Sequence, residues 1–383
     1  MISRKNIIIS LMVFMTLLFP GKGFAAELDL NIDSEAAVLM DAKSGQILYE
    51  KNGRKQMYPA SITKIATAIY ALENGNLSDE VTVTENAFQT EGTRVYLEPN
   101  EVVTLEKLLI GMLMNSGNDA AVAIAEHIDG SVSRFAESVN YFLQTKIGVM
   151  STHFENPHGL FGKNHYTTAA DMAKITQYAM GNANFRNYFG MKTYKWDGKS
   201  WDTTLLTHHR LLKGEFPYEG ITGGKTGYVH ESGHTLVTTA TNNDLQLIVV
   251  TMNSRNQNRP YTDTIQLLDY GFEFFSTKSI DENTTLEFNS KKFTVPKELY
   301  YTVKNGEEIQ QEIDANGKLS IISSTGKELV NFSLIPVDEP IKTSNSAKSA
   351  NIDGGRSYTV LWISILIILL GLGTLISRSR LAR

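Results

Sequence analysis

A serine and a lysine three positions apart could form a nucleophile with its own base. Ser61 and Lys64 occur in the sequence Ser-Ile-Thr-Lys and follow Pro59-Ala60 at the predicted start of a helix. A serine hydroxyl is a weak nucleophile at neutral pH unless a nearby base accepts its proton. Residues three apart share one face of a helix, so the Lys64 amine can approach the Ser61 hydroxyl. The pattern predicts acyl transfer through Ser61, with an ordinary helix cap beside a solvated lysine as the alternative.

Two further short motifs carry groups that could assist such a serine. Ser116-Gly117-Asn118 lies between two predicted helices, where a hydroxyl could relay a proton and an amide could hold a substrate carbonyl. Lys225-Thr226-Gly227 lies on a predicted strand, where a cation and a hydroxyl could bind a carboxylate. Each motif is a weak signal alone. The S-x-x-K pattern recurs at residues 324–327, and the S-x-N pattern recurs at residues 138–140.

The three motifs are specific when taken in their order. S-x-x-K, S-x-N and K-T-G follow one another at a helix start, in an interhelical turn and on a strand, as in penicillin-binding proteins and serine β-lactamases. With Asn156-Pro157-His158-Gly159 and Gly224-Lys225-Thr226-Gly227-Tyr228, the chain resembles the low-molecular-weight penicillin-binding proteins that are D-alanyl-D-alanine carboxypeptidases. The resemblance covers residues 33–277.

This resemblance implies acyl transfer in two steps. Ser61 would attack the carbonyl between two D-alanines of a peptidoglycan stem peptide, Lys64 would accept the serine proton, and Ser116 would relay it to the leaving amine. Water would then hydrolyse the acyl-enzyme. β-Lactam antibiotics mimic the same bond and should acylate Ser61 as covalent inhibitors. Neither a cofactor nor a metal is implied.

The resemblance also implies which residues hold the substrate. Asn118 would bind a substrate amide, and the backbone N–H groups of Ser61 and Tyr228 would form an oxyanion hole. The implied substrate-binding residues from the strand motif are Lys225, Thr226, Gly227 and Tyr228.

Three less specific residues complete the candidate site. His158 lies in a loop that borders the site in the family, and it is either a supporting group or a plain loop histidine. Arg255 and Arg259 both follow the predicted strand pair, where family members often place an arginine for the substrate carboxylate. The sequence leaves the choice between these two arginines open.

Other functions remain as alternatives. His230-Glu231-Ser232-Gly233-His234 matches the H-E-x-x-H signature of zinc proteases, but that chemistry needs a helix, and the strand context here predicts a hairpin. A D,D-endopeptidase would use the same serine. A β-lactamase of class A would add a glutamate, and residues 155–171 show no convincing one. A non-catalytic penicillin sensor or wall-binding protein is a further alternative.

Composition narrows the function classes. The chain has 383 residues, no cysteine and a formal net charge of −5. The lack of cysteine excludes disulfides, thiolate metal sites and a cysteine nucleophile. The acidic balance gives no indication of nucleic-acid binding, which usually accompanies a basic excess.

The two ends of the chain indicate export and membrane attachment. Residues 1–25 have the basic start, apolar stretch and small final residues of a signal peptide. Residues 358–376 are uncharged and long enough to cross a bilayer as a transmembrane helix. The arginines of the basic tail, 377–383, favour the cytoplasmic side. We therefore expect an extracytoplasmic enzyme, joined by a linker (338–357) to a single span in the cell membrane.

Hydrophobic periodicity predicts an α+β domain over residues 26–277, and the resemblance implies that it is the catalytic domain. Helical spacing of apolar residues occurs at 61–73, 103–114, 118–128, 132–147, 168–180 and 262–275. Strand composition occurs at 36–50, 221–228 and 234–252. Strands at both ends with helices between predict one sheet built from distant segments. The resemblance implies a β-lactamase/transpeptidase-like domain, an antiparallel sheet with helices on both sides and a helical subdomain.

A small all-β domain is predicted over residues 278–337. Short alternating runs there are interrupted by Asn305-Gly306 and Asn316-Gly317. Asn-Gly pairs between such runs are strong hairpin signals.

Overall fold

The computed structural model describes residues 30–337. The predicted signal peptide (1–25), linker (338–357), membrane span (358–376) and basic tail (377–383) lie outside the described residues. Among the residues that are described, every helix is too short or too polar to span a membrane.

A five-stranded antiparallel sheet forms the centre of the fold. The strands up to residue 254 are β1 (Ala36–Asp41), β2 (Ile47–Lys51), β3 (Glu80–Thr82), β4 (Val102–Thr104), β5 (Thr193–Asp197), β6 (Asp202–Leu206), β7 (Ile221–Val229), β8 (Gly233–Asn242) and β9 (Leu245–Ser254). The central sheet has the order β2-β1-β9-β8-β7. It therefore joins the first strands of the chain to strands about 200 residues later, as predicted.

Helices cover both faces of this sheet. They are α1 (Lys64–Asn74), α2 (Glu85–Phe88), α3 (Leu105–Met114), α4 (Asn118–Asp129), α5 (Val132–Phe142), α6 (Ala169–Met180), α7 (Ala183–Phe189), α8 (Arg210–Lys213) and α9 (Arg259–Phe274). A short 3₁₀ turn, Ala60–Thr63, leads directly into α1. The predicted helices are thus confirmed within a few residues of their expected ends.

The two faces of the sheet bury two different cores. In β1, Val38 and Met40 belong to the large core shared with α1, α3 and α4, whereas Ala37 and Leu39 pack with Leu267 on the α9 side. Successive side chains of a strand point to opposite faces, so a wholly apolar strand requires cover on both. The predicted α+β fold, with helices on both sides of an antiparallel sheet, is confirmed.

Residues after α9 form three small antiparallel sheets. Their strands are β10 (Phe275–Ile280), β11 (Thr285–Phe288), β12 (Lys291–Thr294), β13 (Leu299–Lys304), β14 (Ile309–Ile313), β15 (Lys318–Ser323), β16 (Glu328–Ser333) and β17 (Ile335–Pro336). They share a core of their own that includes Phe293 and Ile321. The predicted domain boundary at residue 277 falls inside β10, which follows α9 without a break.

One of the two hairpin predictions in this region is wrong. Asn316-Gly317 does connect paired strands, β14 and β15. Asn305-Gly306 connects β13 to β14, but β13 pairs with β10 instead. The turn therefore carries the chain from one small sheet to another. A turn motif determines the local backbone conformation. The packing of the core determines which strands pair with each other.

Candidate active site

Ser61 and Lys64 lie side by side at the start of α1. Ser61 is inside the 3₁₀ turn, and Lys64 is the first residue of the α-helix. Side chains at positions i and i+3 eclipse in a 3₁₀ turn. Accordingly, Lys64 Nζ lies 3.0 Å from Ser61 Oγ. The spacing of the S-x-x-K motif therefore becomes a direct contact between the hydroxyl and the amine.

The Lys64 amine is fully buried among acceptors. It lies 2.7 Å from Asn118 Oδ1 and 2.7 Å from the His158 carbonyl oxygen. A neutral amine has two N–H donors and one lone pair. Donating to these two oxygens leaves the lone pair for the Ser61 hydroxyl proton. The geometry thus fits a neutral lysine that acts as a base.

Burial also favours the neutral form of Lys64. Loss of hydration disfavours a charged ammonium and lowers the pKa of Lys64 well below its ordinary range, and the charge of Lys225 lowers it further. The Asp119 carboxylate acts in the opposite direction and is the weaker influence. A base whose pKa lies nearer neutrality is better suited to accept the serine proton.

Ser116 and Lys225 form a second pair in the same site. Lys225 Nζ donates to Ser116 Oγ at 3.0 Å and to the Thr226 carbonyl oxygen at 2.9 Å. Burial lowers the pKa of Lys225 to about 7. Ser116 adopts a left-handed backbone with φ of 59° in the turn between α3 and α4. A non-glycine residue in this conformation is uncommon and often belongs to a functional site.

Asn118 connects Lys64 to a neighbouring loop. Its Oδ1 accepts from Lys64, and its Nδ2 donates to the Glu91 carbonyl oxygen at 2.7 Å. The backbone N–H of Asn118 donates to the Thr93 carbonyl oxygen at 2.7 Å. Asn118 therefore positions Lys64 in the free protein. Its predicted contact with a substrate amide stays a prediction.

Strand β7 passes against the turn that carries Ser61. A Cβ atom placed on Gly227 would lie 2.8 Å from the Ser61 backbone nitrogen and 2.4 Å from Thr235 Oγ1. Thr235 in turn donates to the Pro59 carbonyl oxygen at 2.9 Å. The backbone next to Tyr228 is therefore close to the Ser61 N–H, as the predicted oxyanion hole requires.

His158 contributes its backbone to the site. Its carbonyl oxygen accepts from Lys64, while its ring Nδ1 accepts from the Leu160 N–H at 3.2 Å. Burial lowers the pKa of the imidazole to about 3, so the ring is neutral. The predicted supporting role thus falls to the carbonyl, which no side-chain pattern could indicate.

Sequence reasoning missed a buried histidine that supports the nucleophile turn. His165 Nδ1 accepts from the Glu155 N–H at 3.0 Å, so its Nε2 carries the proton that faces Thr63 Oγ1 at 2.9 Å. Thr63 donates its own proton to the Ala60 carbonyl oxygen at 2.8 Å. These hydrogen bonds fix Ala60, whose φ of 49° sets the backbone conformation just before Ser61. The available signal in the sequence was Thr63, the hydroxyl-bearing residue inside the S-x-x-K motif that His165 contacts.

All three motifs open into one cleft of about 460 Å³. Its lining includes Ser61, Ser116, Thr226, Gly227, Tyr228 and Arg210. The two arginines predicted to bind a carboxylate do not line it. Arg259 Nη1 forms a salt bridge with Asp33 Oδ2 at 2.9 Å. Arg255 is close enough to Glu35 to stabilise its carboxylate electrostatically. Arg210, from α8, is the arginine that the structure places there.

His234 lines the cleft, but the zinc-protease motif to which it belongs is not on a helix. His230 and Glu231 occupy the turn between β7 and β8, and His234 is in β8, where its ring lies 4.6 Å from that of Tyr228. Throughout residues 30–337, no group of three metal-binding side chains converges. Glu155, the glutamate within residues 155–171, accepts from the Asn164 N–H at 3.2 Å and is absent from the cleft lining.

Comparisons with known proteins agree with this site. Residues 22–256 match the family model described as D-alanyl-D-alanine carboxypeptidase. The chain is 30% identical to D-alanyl-D-alanine carboxypeptidase DacF of Bacillus subtilis over an alignment of 342 positions that covers 85% of this chain and 83% of that protein. It is 31% identical to DacA of Haemophilus influenzae over an alignment of 317 positions that covers 76% of each.

Solved structures extend the likeness to the fold. Penicillin-binding protein 5 of Haemophilus influenzae superposes with a TM-score of 0.72 at 28% identity, covering 80% of this chain and 97% of that one. The Streptomyces K15 DD-transpeptidase gives a TM-score of 0.59 at 28% identity, covering 63% and 98%. From the three motifs in one cleft, the family match and these relatives, we conclude that the chain belongs to the D-alanyl-D-alanine carboxypeptidase family.

Proposed function

We propose that this protein is a penicillin-binding serine D,D-carboxypeptidase that removes the terminal D-alanine from peptidoglycan stem pentapeptides. The observation that carries the proposal is the 3.0 Å contact between Ser61 Oγ and the buried Lys64 amine, in a cleft shared with Ser116 and Lys225. A buried neutral base beside a serine is the arrangement that acyl transfer needs.

The first chemical step forms an acyl-enzyme. Ser61 Oγ bonds to the carbonyl carbon between the two D-alanines as Lys64 takes the hydroxyl proton. The carbonyl oxygen gains negative charge, which the N–H groups of Ser61 and Tyr228 stabilise; one such donor typically supplies about 3 kcal/mol. The C–N bond then breaks, and the leaving amine receives a proton through Ser116, which Lys225 holds at 3.0 Å.

The second step releases the product. A water molecule attacks the carbonyl carbon of the Ser61 ester and gives a proton to the Lys64 amine. The ester C–O bond then breaks, the proton passes to Ser61 Oγ, and the shortened peptide leaves with a free carboxylate. β-Lactams present a strained amide at the same place and leave a covalent adduct on Ser61. The same residues serve an endopeptidase, so the substrate decides between the two activities.

Mass spectrometry after penicillin treatment tests the proposal directly. We expect one adduct, on the peptide that contains Ser61, together with release of free D-alanine from a stem pentapeptide. The Ser61→Ala variant should lose both. Cleavage of only dimeric muropeptides would contradict the carboxypeptidase assignment in favour of an endopeptidase. Rapid turnover of benzylpenicillin without a lasting adduct would instead indicate a β-lactamase.

We infer that Arg210 provides the cationic contact to the substrate carboxylate. Its Nε lies 2.6 Å from Glu215 Oε2, its Nη1 lies 2.5 Å from Asn258 Oδ1, and its guanidinium carbon lies 4.6 Å from the Phe216 ring centroid. These contacts hold the guanidinium in a fixed plane at the cleft, which lowers the entropy lost on binding.

Arg210→Ala should therefore reduce kcat/KM for the pentapeptide by roughly tenfold to a hundredfold, the value of a lost hydrogen bond to a charged group. Arg259→Ala is the matched control, because that arginine pairs with Asp33 away from the cleft lining. It should change kcat/KM less than twofold. Equal losses in the two variants would refute the role of Arg210.

We propose further that the enzyme acts outside the cytoplasm at the cell membrane. The support is in the sequence: a signal-peptide pattern at 1–25 and an uncharged stretch at 358–376 followed by arginines. In this arrangement residues 278–337 would separate the catalytic part from the bilayer. Fractionation should recover penicillin-labelled protein with membranes, and truncation after residue 337 should move the label to the soluble fraction.

A further inference from the structure

The half-exposed Tyr96 and the partly buried Trp201 form an aromatic pair, and Tyr96 is three residues along the chain from the cleft-lining residue Thr93. The rings of Tyr96 and Trp201 meet edge to face, with centroids 5.0 Å apart and planes at 78°. The guanidinium carbon of Arg94 lies 5.3 Å from the centre of the Tyr96 ring. Half of Tyr96, 50%, is exposed to solvent. We call Tyr96, Trp201 and Arg94 the aromatic platform.

The protein holds Tyr96 in place at an energetic cost. Its φ is 58°, a left-handed conformation that costs a non-glycine residue about 1–2 kcal/mol. The buried carboxylate of Asp119 fixes this turn by accepting from the N–H groups of Val95 and Leu97 at 3.0 and 3.1 Å. Ser200 Oγ donates to the Tyr96 carbonyl oxygen at 2.9 Å. Strain that presents a half-exposed aromatic ring is typical of a binding position.

The platform is joined to the cleft through a short piece of chain. Thr93 lines the cleft, and its carbonyl oxygen accepts from the N–H of the catalytic motif residue Asn118. Tyr96 follows three residues later, a reach of about 11 Å at most. In a stem pentapeptide, four residues separate the scissile carbonyl from the sugar, which corresponds to about 14 Å when extended. Tyr96 is therefore separated from a cleft-lining residue by less chain than the extended peptide that separates the scissile carbonyl from the sugar.

We propose that the aromatic platform binds the N-acetylated amino sugar to which the stem peptide is attached. This inference rests on the proposed carboxypeptidase function. The axial C–H face of a pyranose ring packs well on aromatic rings, and tyrosine and tryptophan add a polar group that can bind hydroxyls. Arg94 supplies N–H donors for an acetamido oxygen. The platform thus makes the enzyme selective for stem peptides that are linked to glycan.

Two substrates and four variants test this inference. The kcat/KM for D-alanine release is measured on a free stem pentapeptide and on the same pentapeptide attached to its disaccharide. Tyr96→Ala and Trp201→Ala should each lower kcat/KM for the disaccharide substrate about threefold to tenfold, mainly through KM, which is the size of effect that aromatic contacts give. Tyr96→Phe should retain most of the value. Tyr141→Ala removes a 69% exposed tyrosine of α5 and serves as the matched control.

The free pentapeptide separates sugar binding from other roles. In all four variants, the kcat/KM measured on the free pentapeptide and the rate of penicillin acylation should change less than twofold. Equal losses on both substrates would overturn the inference, because the platform would then contact the peptide or only support the loop. Unchanged rates on both would overturn it as well. If the wild-type enzyme released D-alanine from neither substrate, the proposed function itself would fail.

Discussion

Replacement of Lys64 by methionine should lower the rate of penicillin acylation by roughly 10²- to 10⁴-fold, the usual contribution of a positioned general base. Methionine fills a similar volume in the fully buried position but cannot accept the Ser61 proton. The expected loss is large because the structure places only one basic nitrogen, Lys64 Nζ, in contact with Ser61 Oγ among the described residues. Stopped-flow measurement of acylation gives the rate.

Two comparison variants separate the base from a merely cationic role. Arginine at position 64 stays ionised and cannot act as a base, so Lys64→Arg should be as inactive as the methionine variant. Lys174→Met changes an exposed lysine of α6 and should acylate at the wild-type rate. Activity in Lys64→Arg within tenfold of wild type would show that the charge, and not proton transfer, is what Ser61 needs.

The pH dependence of the wild-type enzyme follows from the same base. The pKa of Lys64 is lowered, so the neutral amine is present above that lowered pKa and is lost as the pH falls through it. The acylation rate should therefore decline toward acid pH and still be substantial well below the ordinary lysine value of 10.5.

The catalytic side chains could be predicted because their residue types carry the chemistry. The helix that begins at Asn118 was expected at residues 118–128 and runs to Asp129, since its apolar residues repeat at helical spacing. Two such helices and a strand then hold the three motifs in one cleft. The order of the motifs along the chain, through the family that it resembles, was sufficient to predict that they share one cleft.

Other parts of the site depend on contacts that residue types do not encode. The carbonyl of His158 binds Lys64, but every residue has a carbonyl, so no pattern distinguishes this one. Arg210 reaches the cleft from α8, whereas the arginines nearest the expected strand end do not line it. The hairpin of β5 and β6, whose connection contains Trp201, was not predicted, although Tyr194 and Trp196 alternate with polar residues as in a strand. Tertiary packing decides the first two cases.

Gly159→Ala should destabilise the protein and disable the nucleophile together. A Cβ atom at this position would lie 2.0 Å from the Ala60 carbonyl oxygen, and the residue has a φ of 88°. The left-handed backbone alone costs about 1–2 kcal/mol for alanine, and the collision should add about 1–3 kcal/mol of overpacking. Relief of the collision must move either the Ala60 turn next to Ser61 or the His158 carbonyl that binds Lys64.

Gly148→Ala isolates the collision from the backbone strain. Gly148 has a similar φ of 74°, but a Cβ atom there would meet nothing within 4 Å. Urea unfolding should show a loss of only about 1–2 kcal/mol for this control, with acylation by penicillin unchanged. Gly159→Ala should lose more stability and should acylate at least tenfold more slowly in its folded fraction. Equal free energies of unfolding in the two variants, or wild-type acylation by Gly159→Ala, would mean that the loop after His158 yields freely and does not set the position of the catalytic pair.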